Sequence, residues 1–371
     1  MVAATVLQKA SDSLTQYRKA LLAQHVMYAR SLWGRLKPAD WWNDIIIMGI
    51  AAQVAQNYVR VVEEARRAGV SYADVILRAY GVKPVGSVDS LKFPRRGTDP
   101  WMVSAKPALG AYRDKAVQSP TVRPDTWPKP GDTTHELISS WLEAAYERLE
   151  TTVETDITLA SNDAATERFT KNGTKAFRRV IHPEASMGGV CGLCIAAATR
   201  VYTKKDLLAL HDHCHCTVAP ILHGQDLGKI LNTADLHKIY AAVKNTPKWK
   251  KDHEGRYATE ADFLKNLRYK VVAHSELGRL LVPYERTHET MPDYAVMPDV
   301  DESVLASFDR MAERSKLFLD TGNKVHATGE PITFTDQGKE WQVKPSPDIP
   351  QALTRIESLT TTLQSAFGRS A

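Results

Sequence analysis

Apolar residues in the first eighty positions recur at the spacing of an α-helix. One series has polar residues between its members, which are Leu7, Leu14, Tyr17, Leu21 and Tyr28. A second series predicts a helix over residues 41–67 with Gly69 as its stop, and a shorter helix follows over 72–80. We therefore predict a helical N-terminal region over residues 1–80.

The pattern changes over residues 81–133, where proline becomes frequent. Eight of the nineteen prolines fall here, at 84, 94, 100, 107, 120, 124, 128 and 130. Proline fixes φ and has no backbone N–H, so it disfavours long helices and central strands. The sequence predicts a Pro-rich extended arm over residues 81–133.

Helical spacing resumes at Thr133, which has capping-box spacing to Glu136. We predict one helix that runs to about Ile157 and a second helical segment over 162–170. A turn at Gly173 then leads into a short strand over 176–181. Another strand is predicted over 217–222 and another helix over 232–243, so the central module spans residues 134–297.

The C-terminal tail, residues 298–371, has a helix–hairpin–helix pattern. The segment ITFTDQGKEWQV predicts a hairpin that turns at Gln337-Gly338 and places Ile332 and Phe334 opposite Val343 and Trp341. Apolar spacing predicts a helix on either side of it. The whole chain is therefore predicted to be mainly α with small β elements, an α+β fold with a small α/β tail.

Composition and charge narrow the class of protein only slightly. The 371 residues carry a formal net charge of +5, which is low for a dedicated DNA-binding protein. The first residues have no signal-peptide pattern, and the most apolar stretch, 45–55, is too short to span a bilayer. We predict a protein made in a cytoplasm, without membrane association, whose cysteines begin as thiols.

The four cysteines form a single cluster that is typical of a metal site. Cys191 and Cys194 make a CxxC motif, and Cys214 and Cys216 follow within an HDHCHC run. Thiolates select zinc, which four ligands hold tetrahedrally. We predict a structural zinc that staples the module, with Cys191 and Cys194 as ligands. The other two are drawn from His211, His213, Cys214, His215 and Cys216, and alternation along a strand favours Cys214 and Cys216, with His211 as the rival.

Other interpretations of the cluster stay open at this point. The cysteines could form two disulfides in an oxidising setting, or stay as buried thiols. A redox CxxC of the thioredoxin type opens a helix after a strand and needs no second pair. A catalytic zinc needs a nearby acid or base, and His182, Glu184 and Asp212 are close in sequence.

The residues around the cysteines resemble a known family. The stretches FRRVIHPEASMGGVCGLCIAAATRVY and LLALHDHCHCTVAPIL are similar to the signature of MuF-like phage minor head proteins, also called head morphogenesis proteins. The later HSELGRLLVPYE resembles the actinobacteriophage branch, and the similarity covers roughly residues 134–290. The matching positions are Arg178, Arg179, Val180, Cys191, Cys194, His211, Cys214, Cys216 and Pro220.

The resemblance implies a structural minor capsid protein of a tailed phage. Such a protein lies in the capsid interior of the virion near the portal, after assembly in the host cytoplasm, and aids head assembly, genome packaging or delivery. The implied partners are the portal protein, the major capsid protein or both, with packaged DNA as a further partner.

Two alternative functions accompany this expectation. Relatives are sometimes labelled capsid maturation proteases, but the chain has no GxSxG, HExxH or SxxK motif, so we predict that it is not an enzyme. The other alternative is a DNA-contacting internal virion protein. Its candidate contacts are Lys248, Trp249, Lys250 and Lys251, where charge and a stacking surface coincide, although a solvated basic loop has the same composition.

Overall fold

The protein is mainly helical with small antiparallel strands, which confirms the predicted fold class. The structure is a computed structural model. It describes residues 2–95, 97–119, 123–183, 192–204, 207, 214–244, 269–274, 278–283 and 304–367.

The elements are numbered here in chain order. The helices are α1 (Val2–Trp33), α2 (Asp44–Ala79), α3 (Pro100–Pro107), α4 (Arg113–Val117), α5 (His135–Lys171), α6 (Gly192–Ala198), α7 (Leu227–Lys244), α8 (Val304–Thr328) and α9 (Ile349–Phe367). A 3-10 helix over Pro38–Trp42 precedes α2, and a π-helix over Ala108–Tyr112 joins α3 to α4. The strands are β1 (Ala176–Val180), β2 (Val201–Tyr202), β3 (Thr217–Ile221), β4 (Tyr269–His274), β5 (Gly278–Pro283), β6 (Ile332–Asp336) and β7 (Lys339–Val343).

The chain divides into two compact units, each built from three separate segments. Unit 1 comprises Met1–Lys19, Glu63–Pro94 and Thr155–Val300, and unit 2 comprises Ala20–Val62, Arg95–Glu154 and Asp301–Ala371. Three of the five boundaries fall inside α1, α2 and α5. This division differs from the four consecutive regions predicted above, because a continuous helical pattern does not reveal which part of a long helix belongs to which core.

Unit 1 surrounds a three-stranded antiparallel sheet with the order β2-β1-β3. Strand β1 pairs along its whole length with β3, from Ala176 opposite Ile221 to Val180 opposite Thr217. One buried cluster joins this sheet to α1, α2 and α5 and includes Leu7, Leu14, Tyr72, Ile76, Phe169, Phe177, Cys194, Cys216 and Val218. The beginning of the chain and the cysteines therefore share a core.

Unit 2 contains the predicted C-terminal hairpin. Ile332 pairs with Val343 and Phe334 with Trp341, in the predicted register. Both turn residues have positive φ, 50° at Gln337 and 76° at Gly338, as a two-residue primed turn requires. Trp341 packs edge-on against Phe318 of α8, so the hairpin covers the core of this unit.

Two predicted helix breaks are wrong. Helix α2 continues through Gly69 to Ala79, and α5 is one helix from His135 to Lys171. Gly69 serves close packing, since a Cβ there would come within 2.1 Å of the Ser161 carbonyl oxygen of α5. A glycine that ends a helix and one that admits a neighbouring backbone look alike in sequence.

The Pro-rich stretch is not a wholly extended arm, because it contains α3, the π-helix and α4. Asp99 caps α3 by accepting a hydrogen bond from the Met102 N–H at 3.0 Å, and Pro100 occupies the first turn. Proline is well tolerated there, because the first-turn N–H groups have no helical acceptor. The high proline content therefore predicted an extended arm at a position where a helix begins.

Among the described residues, α2 is long and apolar enough to meet the length and composition test for a membrane span. Its most apolar 18-residue window is 72% buried inside the protein. The core helix of a globular unit passes the same test.

Candidate metal centre

Three of the four cysteines meet in the core of unit 1. Cys194 lies in the first turn of α6, and Cys214 and Cys216 lie just before β3. Their sulfur atoms all lie within 4.8 Å of one another, so the three side chains could hold a metal ion. Cys194 and Cys216 are buried and Cys214 is half-buried.

The β1–β3 pairing explains how residues far apart in sequence come together. Thr217 is registered opposite Val180, so Cys216 lies beside the end of β1. The Asn162 side chain of α5 donates to the Cys216 carbonyl oxygen at 3.0 Å, which fixes the backbone that carries this cysteine. Helix α6, which carries Cys194, packs against β1.

The sulfur spacing fits a metal better than a disulfide. The Cys194 and Cys214 sulfur atoms are 4.0 Å apart. Two zinc–sulfur bonds of about 2.3 Å at a tetrahedral angle place their sulfurs about 3.8 Å apart, whereas a disulfide requires about 2.05 Å. No disulfide joins any two of the three cysteines that the structure describes.

The local environment favours the protonated form of Cys216 when no metal is bound. The hydrogen bond with Cys194 is the largest single effect and lowers the pKa of Cys216. Contact with Cys214 and burial together outweigh it, so this pKa lies well above that of an ordinary cysteine. Metal binding at neutral pH would therefore displace protons, and affinity should rise with pH.

A buried polar network lies directly behind the cysteines. His182 Nε2 is 3.0 Å from the Thr217 hydroxyl, and Ser11 Oγ lies 3.4 Å from both the Thr217 and the Tyr72 hydroxyls. The Tyr72 hydroxyl donates to the Val218 carbonyl oxygen at 3.0 Å. The network fixes the start of β3, and it connects α1 and α2 to the residues that follow Cys216.

The two arginines of the signature have different contacts. Arg178 forms an ion pair with Asp226 at 2.6 Å and donates to the carbonyl oxygens of Ala198 and Arg200, which holds the turn after α6. Arg179 lowers the pKa of Cys216 through its charge, so it is electrostatically coupled to the cysteines. Arg178 therefore holds the turn after α6, and Arg179 favours the thiolate form of Cys216.

Pro220 of the signature lies in β3, which is an edge strand of its sheet. Proline is tolerated in such strands because it has no backbone N–H to donate to a neighbouring strand. Its carbonyl oxygen accepts a hydrogen bond from the Tyr80 hydroxyl at 3.2 Å.

Several predicted site residues lie outside the described part of the chain. These are the metal ligands Cys191 and His211, the neighbours Glu184 and Asp212, and the nucleic-acid candidates Lys248, Trp249, Lys250 and Lys251. Cys191 and His211 therefore stay predicted ligands.

The second half of the CxxC motif lies in a helix. Helix α6 begins at Gly192, between the two cysteines of the motif. Cys214 and Cys216 beside Cys194 could hold a metal ion, whereas a redox pair needs no further thiols.

The sequence pattern did not single out Arg18 and Asn162, which support the centre from α1 and α5. Arg18 stands four residues after Leu14 and three before Leu21, so it shares the apolar face of α1. A charged residue on that face is the signal that could have marked it. Arg18 Nη2 donates to Asn162 Oδ1 at 2.7 Å.

No protein-family model matches the chain, and no curated protein or solved structure matches it either. The similarity of the cysteine region to MuF-like proteins therefore stays a prediction.

Proposed function

We propose that the chain is a structural minor capsid protein of a tailed phage, held inside the head near the portal. The observation that carries the proposal is the placement of the signature residues around one centre. Arg179, Cys194, Cys214 and Cys216 belong to the resembling motif, and the three cysteines lie together in the core of unit 1.

In this proposal zinc acts as a staple and not as a reaction centre. Zinc supplies tight tetrahedral bonding to thiolates, which converts metal affinity into folding free energy. Cys194, Cys214 and Cys216 would provide three ligands, and Cys191 or His211 the fourth. The burial of Cys194 and Cys216 in an apolar cluster supports a structural role, because a catalytic ion needs an open coordination position.

The proposed partners are the portal protein, the major capsid protein or both. The test is a pull-down of the reduced full-length chain against each of them, with zinc content measured on the same sample. We expect the zinc-loaded chain to be retained by the portal. Cys216→Ser should lose both zinc and retention, whereas Ser140→Ala, an exposed change on α5, should keep both.

Failure of retention with zinc still bound would contradict the head-protein role while leaving the metal site intact. Loss of zinc without loss of retention would instead show that docking does not depend on the staple.

The contacts of the described residues do not favour the protease alternative. A histidine and a hydroxyl meet at His182 and Thr217, but they are 3% and 0% exposed, so a peptide substrate has no access to them. Incubation of the chain with capsid protein should therefore give no cleavage.

The other alternative is a DNA-contacting internal virion protein. Salt-dependent binding to duplex DNA through Lys248, Trp249, Lys250 and Lys251 would test it.

A further inference from the structure

Arg18 is a buried arginine beside the cysteines, and its hydrogen-bond partners are neutral. It is 6% exposed, and its Nε and Nη2 donate to Ser161 Oγ at 2.8 Å and to Asn162 Oδ1 at 2.7 Å. Its Nη1 is buried and has no hydrogen-bond partner among the described residues. Burying a charge without a counter-charge costs several kcal/mol, on the order of the whole stability margin of a small domain.

Two other buried arginines of unit 1, Arg66 and Arg178, have acidic partners. Arg66, which is 1% exposed, lies 2.7 Å from Asp163 and 3.3 Å from Glu167. Arg178 pairs with Asp226. Within the described ranges no carboxylate lies at ion-pair distance from Arg18, so its counter-charge must have another source.

Cys214 and Cys216 would provide that source as metal-bound thiolates. Burial lowers the pKa of Arg18 to about 10, while electrostatic interactions with Tyr72, Cys214 and Cys216 act in the opposite direction, so the guanidinium stays charged at neutral pH. Asn162 links the two groups directly, because it accepts from Arg18 and donates to the Cys216 carbonyl oxygen at 3.0 Å.

The charge of a thiolate centre accounts for this arrangement. Three thiolates on one zinc ion leave a formal net charge of about −1, and four leave about −2. Such a charge needs compensation in a buried environment, and residues behind the ligands commonly supply it.

We propose that Arg18 is a positioning residue that supplies the counter-charge of the metal–thiolate centre and orients Cys216 through Asn162. The inference rests on the proposed zinc site. It implies that α1 contributes to metal affinity, although it contributes no ligand.

The experiment compares zinc affinity of the reduced full-length protein and its variants by competition with a chromophoric chelator. We expect Arg18→Met to weaken zinc binding about 10–100-fold, the usual effect of removing a residue that supports metal ligands. Arg18→Lys should recover part of this loss, because it restores the charge without the planar fork. Arg66→Met is the matched control, a buried arginine in the same unit, and should leave affinity within about threefold.

Asn162→Asp provides a second route if Arg18→Met does not fold. It keeps the partner of Arg18 but neutralises the charge of the guanidinium with a carboxylate, and it removes the donor to the Cys216 carbonyl oxygen, so zinc affinity should again fall. Three results would overturn the inference. Arg18→Met could bind zinc as tightly as wild type, it could lose no more affinity than Arg66→Met, or Arg18→Lys could recover none of the loss. So would wild-type affinity in Asn162→Asp. A wild-type chain that binds no zinc would overturn the metal site as well.

Discussion

His25 is a buried imidazole whose protonation opposes folding of unit 2. Its Nδ1 lies 2.7 Å from Asn57 Oδ1, while its Nε2 has no hydrogen-bond partner among the described residues. Burial lowers the pKa of His25 to about 4, although the bond to Asn57 acts in the opposite direction. A proton on Nε2 would therefore be buried without an acceptor.

This lowered pKa predicts an acid-sensitive unit 2. The His25 imidazole of the unfolded chain binds a proton with a pKa of about 6.5. Above that pH neither state is protonated and unit 2 has its full stability, and as the pH falls towards 4 proton binding to the unfolded chain reduces that stability. Between pH 7 and pH 5 the free energy of unfolding should drop by about 2 kcal/mol from this group. Urea unfolding followed by tryptophan fluorescence measures it, because the described tryptophans all lie in unit 2.

The matched variants are His25→Asn, which should flatten the pH dependence, and the exposed His326→Asn, which should not change it. If wild type and His25→Asn show the same pH dependence, the assignment of this effect to His25 is wrong.

Gly69 shows how tightly α2 packs against α5 in unit 1. Because a Cβ would come within 2.1 Å of the Ser161 carbonyl oxygen, a backbone atom, Gly69→Ala must move a helix. We expect unit 1 to lose about 3 kcal/mol, at the upper end for overpacking, as measured by hydrogen exchange of its core amides.

Gly110→Ala is the control for Gly69, since a Cβ there meets nothing within 4 Å. Relief of glycine's backbone entropy should make it neutral or stabilising by up to about 1 kcal/mol. A neutral Gly69→Ala would refute the close approach of the two helices.

At the level of elements, Asp99 has two roles in unit 2. One of its carboxylate oxygens caps α3, and the other accepts from Arg314 Nη1 at 2.5 Å, with both residues buried. Arg314 also donates to Asp336 at 2.6 Å, which connects α3 to the C-terminal hairpin.

Removing Asp99 should therefore cost more than a helix cap alone. We expect Asp99→Ala to destabilise unit 2 by about 3–5 kcal/mol, the usual effect of breaking a buried ion pair, against about 1 kcal/mol for a cap. Asp99→Asn keeps the cap oxygen and separates the two effects. The exposed Asp320→Ala on α8 should change stability by less than about 0.5 kcal/mol, and equal losses for Asp320→Ala and Asp99→Ala would contradict the account.

Elements with local signals could be predicted from the sequence. The hairpin turn needs positive φ at Gln337 and Gly338, and alternation of apolar residues sets the register, so both were correct. Helix α3 was missed because proline at a helix start looks like proline in a loop. The continuity of α5 was missed because Ser161 and Asn162 interrupt its apolar stripe, and their polar groups serve Arg18.

At the level of the whole molecule, the cysteines do not define an independent module. Leu7 and Leu14 of α1 belong to the same buried cluster as Cys194 and Cys216. The sequence patterns place these leucines and cysteines in separate regions. Contacts between residues about two hundred positions apart produce no periodicity in the sequence. The cysteine signature could be found from the sequence, but Arg18 of α1 and Asn162 of α5, which support it, could not.

The shared core predicts how loss of the metal should spread. Cys216→Ser should reduce hydrogen-exchange protection throughout unit 1, including the first turns of α1, while unit 2 keeps the protection of α8 and α9. Protection that is lost only near the cysteines would contradict a common core in unit 1.

The most direct test of the central claim is cobalt substitution of the reduced full-length chain. A tetrahedral thiolate centre should bind one cobalt ion and give a sulfur-to-cobalt charge-transfer band that weakens in Cys194→Ser, Cys214→Ser and Cys216→Ser. Displacement of the cobalt by zinc should abolish the band. A chain that binds no cobalt, or a band that survives all three substitutions, would contradict a metal centre built from these cysteines.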